Sequence, residues 1–218
     1  MRLAVSLLLF LSITANAAPF AVQIGDARLG LDAPPGFSDT SFTGSPRLQE
    51  LAESITSASN RILMFALTDA DLRRFTLGDQ IEAKRYMVAV TPRGLERERV
   101  TLDAFTSLVT ESLRELGKPP PAGTSDYPKY LDALQGRPAL LAELRRDPNA
   151  VSILQGARLP SASSETPRYM LSTTTLLLLR GKAINLTVYG AYDSPADLDW
   201  IRVITLRWID ELQRLNSR

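Results

Sequence analysis

The sequence predicts an α+β fold, an antiparallel β-sheet covered by helices, built as a single domain. Three observations predict it. Arg168 to Arg180 and Lys182 to Tyr192 alternate with period two and join at Arg180-Gly181-Lys182, as two long strands of a hairpin do. Ser194 onward repeats apolar residues at three- and four-residue steps, the signature of an amphipathic helix. Earlier strand patterns follow one another by tight turns, with helical patterns between them, which favours a sheet with helices packed on it.

Taken in order, Met1-Arg2, the apolar run Leu3 to Ile13 and the small-residue site Ala15-Asn16-Ala17 read as a secretory signal peptide over residues 1–17. The run is too short to span a bilayer. Residues 18–218 then form one α+β domain, exported to the periplasm or secreted, with no integral membrane segment after cleavage. Phe20 to Ile24 and Arg28 to Ala33 read as short strands around Gly25-Asp26. Pro34-Pro35-Gly36-Phe37 ends the second, and a loop runs to Ser45. Ser45-Pro46 opens a helix with Leu48, Leu51 and Ile55 inward.

Arg61 to Leu67 is a strand apolar enough to be central, and Thr68 caps a short helix that buries Leu72 and Phe75. Arg85 to Thr91 is a strand with Tyr86, Val88 and Val90 on one face. Thr101 begins a helix with the stripe Leu102, Phe105, Leu108, Val109, Leu113 and Leu116, ended by Gly117 and three prolines. Lys118 to Gly136 is irregular, with one helical turn near Tyr130 to Leu134; Pro138 to Arg146 reads as a helix or a strand, with helix preferred, completing a loop-rich insert at about 118–146.

Val151 to Leu159 is a strand, and the hairpin follows. Its Leu171, Thr173, Thr175, Leu177 and Leu179 face one way, with Met170, Ser172, Thr174, Leu176 and Leu178 opposite. Ser194, Pro195 and Asp197 then form a helix start with a capping box. Leu198, Ile201, Thr205, Trp208, Ile209 and Leu212 make the stripe that packs on the hairpin.

Composition narrows function. The 218 residues contain no cysteine and no histidine, which removes thiol chemistry, disulfides, His-dependent triads and the usual zinc sites. Once Arg2 leaves with the leader, acidic and basic residues are equal in number, so there is no electrostatic footprint for nucleic acid. The pairs Asp69/Asp71 and Asp197/Asp199 have the hard oxygen ligands a cation prefers, but both open helices, where acids serve as caps. No phosphate-binding glycine loop and no Ser-x-x-Lys spacing is present, and no cofactor is implied. Asn185-Leu186-Thr187 matches a glycosylation sequon inside a strand and reads as chance.

The stretch Gly30-Leu31-Asp32-Ala33-Pro34-Pro35-Gly36-Phe37 resembles the first strand and Pro-Gly-aromatic turn of PsbP-like and DcrB-like exported domains. The closing strand and the helix bearing Trp200 are similar to the end of that fold. The resemblance implies an α-β-α sandwich with a binding or assembly role, and carries over no ligand residues. The functional expectation is an exported, non-enzymatic binding or accessory protein of the cell envelope, with an envelope protein as partner. Lys118, Tyr127, Lys129 and Tyr130 are the candidate contact residues, because prolines lower the cost of ordering their loop and tyrosines bring contact area. The alternative is a hydrolase using a carboxylate pair or a serine nucleophile.

Overall fold

The computed structural model describes residues 19–114, 117, 119–121, 124, 126–134, 136–160 and 166–217. The expected leader and Lys118 lie outside the described residues.

A small hairpin comes first, β1 (Phe20–Ile24) against β2 (Ala27–Leu31). Its two-residue turn places Gly25 at φ 55°, in the left-handed region. A Cβ there would lie 2.2 Å from the Glu96 carbonyl oxygen. Gly25→Ala is therefore expected to destabilise by about 1–3 kcal/mol through backbone strain and overpacking. An unchanged urea midpoint in that variant would contradict this close approach.

The main sheet has seven strands in the order β3-β4-β5-β9-β8-β7-β6. They are β3 (Phe37–Asp39), β4 (Asn60–Thr68), β5 (Arg85–Pro92), β6 (Ala139–Asp147), β7 (Ala150–Arg158), β8 (Tyr169–Leu179) and β9 (Lys182–Tyr192). Every neighbouring pair is antiparallel. The helices are α1 (Pro46–Ser54), α2 (Asp69–Thr76), α3 (Leu102–Leu113), α4 (Tyr127–Asp132) and α5 (Pro195–Leu215). Among the described residues no helix is long and apolar enough to cross a membrane.

One face of the sheet is covered by α5, α4 and the β1–β2 hairpin. Leu171, Leu177 and Leu179 of β8 and Ile184, Leu186 and Val188 of β9 join Ile201, Trp208, Ile209 and Leu212 there. The capping box at Ser194 and Asp197 starts α5 as expected. Its far end is tied to β2, where Asn216 Nδ2 donates to the Gly30 carbonyl and its Oδ1 accepts from the Gly30 N–H, both at 2.9 Å. On the other face α1 and α2 cover Phe65, Leu67, Val88 and Val90. There α3 covers Val151, Ala183, Leu176 and Leu178. These are the three layers the alternation of the closing hairpin requires, since its Leu176–Leu179 end is apolar on both sides.

Among the described residues Lys182 is the most deeply buried charged side chain, at 1% exposure. Its ammonium donates to the carbonyls of Glu96 (3.1 Å) and Glu98 (2.8 Å) and pairs with Asp26 Oδ1 at 2.8 Å. It thereby pins the β1–β2 turn and the 93–100 loop to the start of β9.

Three expectations need correction. Residues 37–39 form an edge strand rather than loop, because β4 offers them a partner. Residues 139–147 are strand β6, not helix. Leu140, Leu141 and Leu144 mimic helical spacing, but two register shifts against β7 break the period-two alternation that would have revealed a strand. Leu102 is 53% exposed at the first position of α3 and does not join the buried stripe, and Leu116 lies outside the described residues.

Candidate interaction site

The sheet has an open stretch at one edge. β3 pairs only with Ala66 to Thr68, so residues 60–65 of β4, paired with β5 on their other side, run on without a strand on this one. The continuous apolar run that made this strand look central reflects burial of its two faces, while half of its length lies at the sheet edge. Alongside that edge lies a cleft of about 750 Å3, walled by Gln49, Glu53 and Thr56 of the α1 segment and floored by Arg61, Ile62 and Phe65.

Local chemistry shapes both ends of the cleft. At one end the Phe65 N–H donates to Asp39 Oδ1 at 3.3 Å, and the Phe65 carbonyl accepts from the Thr40 N–H at 2.8 Å. Thr43 folds the chain back by donating its hydroxyl to the Thr40 carbonyl at 2.7 Å. That turn leaves Phe42 71% exposed, beside lining residues Ser41 and Gly44. At the other end Arg93 donates its N–H to Ser59 and its Nε to the Ala58 carbonyl, at 2.9 and 3.2 Å. Arg61 donates to Glu96 Oε2 at 3.1 Å and to the Gln23 carbonyl at 3.0 Å. The site was not read from sequence. Its only signal was Phe42, an aromatic side chain standing in the polar stretch Ser41 to Gly44.

A second, charged cleft of about 320 Å3 lies where α2, β5, β9 and α5 meet. Arg85 donates to Asp197 Oδ1 at 2.8 Å and stacks 4.1 Å from the centroid of the Trp200 ring. Asp197 Oδ2 accepts the N–H groups of Asp193 and Ser194 at 3.0 and 2.8 Å. Burial opposes ionisation of Asp197, but those N–H groups and Arg85 outweigh it and hold the carboxyl below the usual range. Its stabilisation is therefore present above the unfolded carboxylate value of about 3.9 and is lost as pH falls through the lower folded value. Asp197→Asn is expected to cost about 1–2 kcal/mol at neutral pH and to flatten stability between pH 4 and the folded titration. Acid-unfolding curves of the two proteins that run parallel would sink this.

The first acidic pair sits in the first turn of α2, but the cap is Thr68, and the Asp71 carboxylate accepts the Thr68 hydroxyl at 2.9 Å. The Thr68 hydroxyl oxygen accepts from the Asp71 N–H at 3.1 Å, and Asp69 Oδ1 accepts the Ser38 hydroxyl at 2.7 Å. Asp199 is exposed. Among the described residues no group of three or more acids is placed to hold a metal ion.

Of the residues predicted for contact, Tyr127, Lys129 and Tyr130 fall on helix α4 rather than on a loop. Asp126 caps that helix by accepting the Lys129 N–H at 3.0 Å. Tyr127 and Tyr130 are half-buried against the core, and Lys129 is exposed. α4 sits close to the sheet because β7 carries Gly156 beneath it. A Cβ at that position would meet Leu131 and Leu141 at 3.0 Å. Much of the tyrosine area is thus spent on the fold. Elsewhere, Tyr86 and Tyr189 stack with centroids 4.5 Å apart on the α1–α2 face. Burial first, then Tyr189, pushes the Tyr86 hydroxyl up to about 12.

No family model matches the sequence, and no curated protein matches it. Among solved structures the chain is similar to the Saccharomyces cerevisiae Ran-binding protein Mog1p, at 10% identity and a TM-score of 0.38, over 92% of this chain and 93% of that one. It is likewise similar to a point mutant of protein Mog1, at 10% identity and a TM-score of 0.38, over 93% and 94%.

Proposed function

We propose that this is an exported, non-enzymatic binding protein of the cell envelope that holds a protein partner in the cleft beside β4. The observation that carries the reading is that cleft, open along a strand edge, with exposed Phe42 following lining residue Ser41 in the chain. Aromatic side chains, phenylalanine among them, are enriched where proteins contact one another, so an exposed one beside a preformed cleft fits a contact surface. Export rests on Leu3 to Ile13 and the Ala15-Asn16-Ala17 site, and the resemblance of Gly30 to Phe37 to PsbP-like and DcrB-like exported domains supports the same reading. The carboxylates of Asp69, Asp71 and Asp197 are engaged by Ser38, by Thr68 and by the start of α5, which weighs against a carboxylate-pair hydrolase.

Placing the photoreactive residue benzoylphenylalanine at position 42, and in a control at exposed Val203, tests this in cells making the full chain. A covalent adduct to one protein from position 42 and none from 203 is expected. Adducts from 203 alone, or a hydrolytic activity abolished by one Asp or Ser substitution, would overturn the reading. Sequencing the mature N-terminus tests export separately, with cleavage after Ala17 as the expected result.

A further inference from the structure

We propose that the partner enters the cleft as an extended strand that pairs with the main chain of β4 around Ile62, lengthening the sheet. This rests on the binding reading above and specifies its chemistry.

The two ends of the sheet are built differently. At the far end β6 carries two bulges and the charges Glu143, Arg145, Arg146 and Asp147, tied into ion pairs with one another and with Asp210. Bulges and charges of this kind keep another chain from adding to an edge. The β4 edge also carries a bulge, at Leu63, but its open stretch, residues 60–65, holds a single charge, Arg61, which is already tied to Glu96 and the Gln23 carbonyl. It is flanked by a helix that forms a trough rather than a cover.

The register shows which main-chain groups point into the trough. In an antiparallel pair successive residues turn their N–H and C=O alternately to one neighbour and the other. Phe65 turns both towards the β3 side, where Asp39 and Thr40 take them. Leu63 is the extra residue of a bulge, because the pairing passes from Ile62↔Val90 to Met64↔Ala89. That insertion shifts the alternation, so Ile62 and Asn60 face outward and Arg61 faces β5. Pro92 agrees with this: it stands opposite Asn60 and has no N–H to donate. The Asn60 N–H is already taken by the Ser57 carbonyl at 2.9 Å. Ile62 therefore offers an N–H and a C=O together, which is what an incoming strand requires.

The trough also defines the occupant. Residues 60–64 extend about 13 Å, room for four or five residues of extended chain. Asp39 and Glu53 balance Arg61 and Arg93, and Arg61 and Asp39 are already held by internal partners. Recognition through main chain rather than net charge follows. The guest is a net-neutral polypeptide segment of the partner, with no proline opposite Ile62.

The test uses the mature protein and a heptapeptide enriched on it from a random display library. Two versions of that peptide carry N-methyl groups on alternate residues, in opposite registers. One register is expected to lose about tenfold or more in affinity, because it removes ladder hydrogen bonds, while the other binds as the parent does. Exchange of the Ile62 amide is expected to slow when the parent peptide binds. Equal binding by both registers with no slowing at Ile62, while Phe42→Ala still weakens the parent, overturns strand addition and leaves the cleft as a side-chain site. Binding indifferent to Phe42→Ala overturns the cleft as well. A chain that dimerises through β4 and excludes the peptide would show the occupant to be a second copy, against the proposal.

Discussion

Trp208→Ala is expected to lower the free energy of unfolding by about 3–5 kcal/mol, the range for deleting a fully buried indole. The ring is 1% exposed and lies in the core cluster that α5 shares with β8, β9 and the first hairpin. Its Nε1 donates to the Asp32 carbonyl at 2.8 Å, so truncation also strands an acceptor at the end of β2. Trp208→Phe separates the two effects, since it keeps most of the ring volume but removes the donor, and should cost about 1–2 kcal/mol. Urea unfolding with far-UV detection reads both. A Trp208→Ala protein as stable as the parent would mean that α5 does not pack as described.

Lys182→Met comes next, at about 2–5 kcal/mol. Methionine preserves the length and apolar stem of the side chain, so the loss isolates the ammonium. Without it the carbonyls of Glu96 and Glu98 lose a charged donor, and each acceptor left without a partner costs about 1–3 kcal/mol. Asp26 adds little to the sum. Lys182 holds its carboxyl below the usual range, but Asp26 is open to water and is rehydrated when the partner goes. The loss should appear first as faster amide exchange in residues 24–27 and 96–100, which the ammonium ties together. Uniform exchange behaviour in the two proteins would show that the contact holds nothing in place.

Much of the fold was legible because it rests on local periodicity. The alternation of β8 and β9, the stripe of α5 and the Ser194–Asp197 capping box follow from side-chain geometry within a few residues of each other. β6 is hidden in the sequence for the opposite reason. Its bulges are a property of pairing with β7, and a bulge leaves apolar spacing that imitates a helix. The tyrosines of α4 were read as available for contact, because nothing in the sequence shows that Gly156, some 26 residues away, lets that helix settle onto the core.

By itself the sequence determined the three-layer class, the strand faces and the chemistry that is absent, because alternation, caps and composition are local or additive quantities. Tertiary structure alone decided that β3 stops short along β4, that Phe42 is left exposed next to a lining residue of the resulting cleft, and that Lys182 is sealed inside. Each of these depends on which segments become neighbours across the sheet. An edge exists only where the pairing ends, and no residue of β4 records where its neighbour will stop.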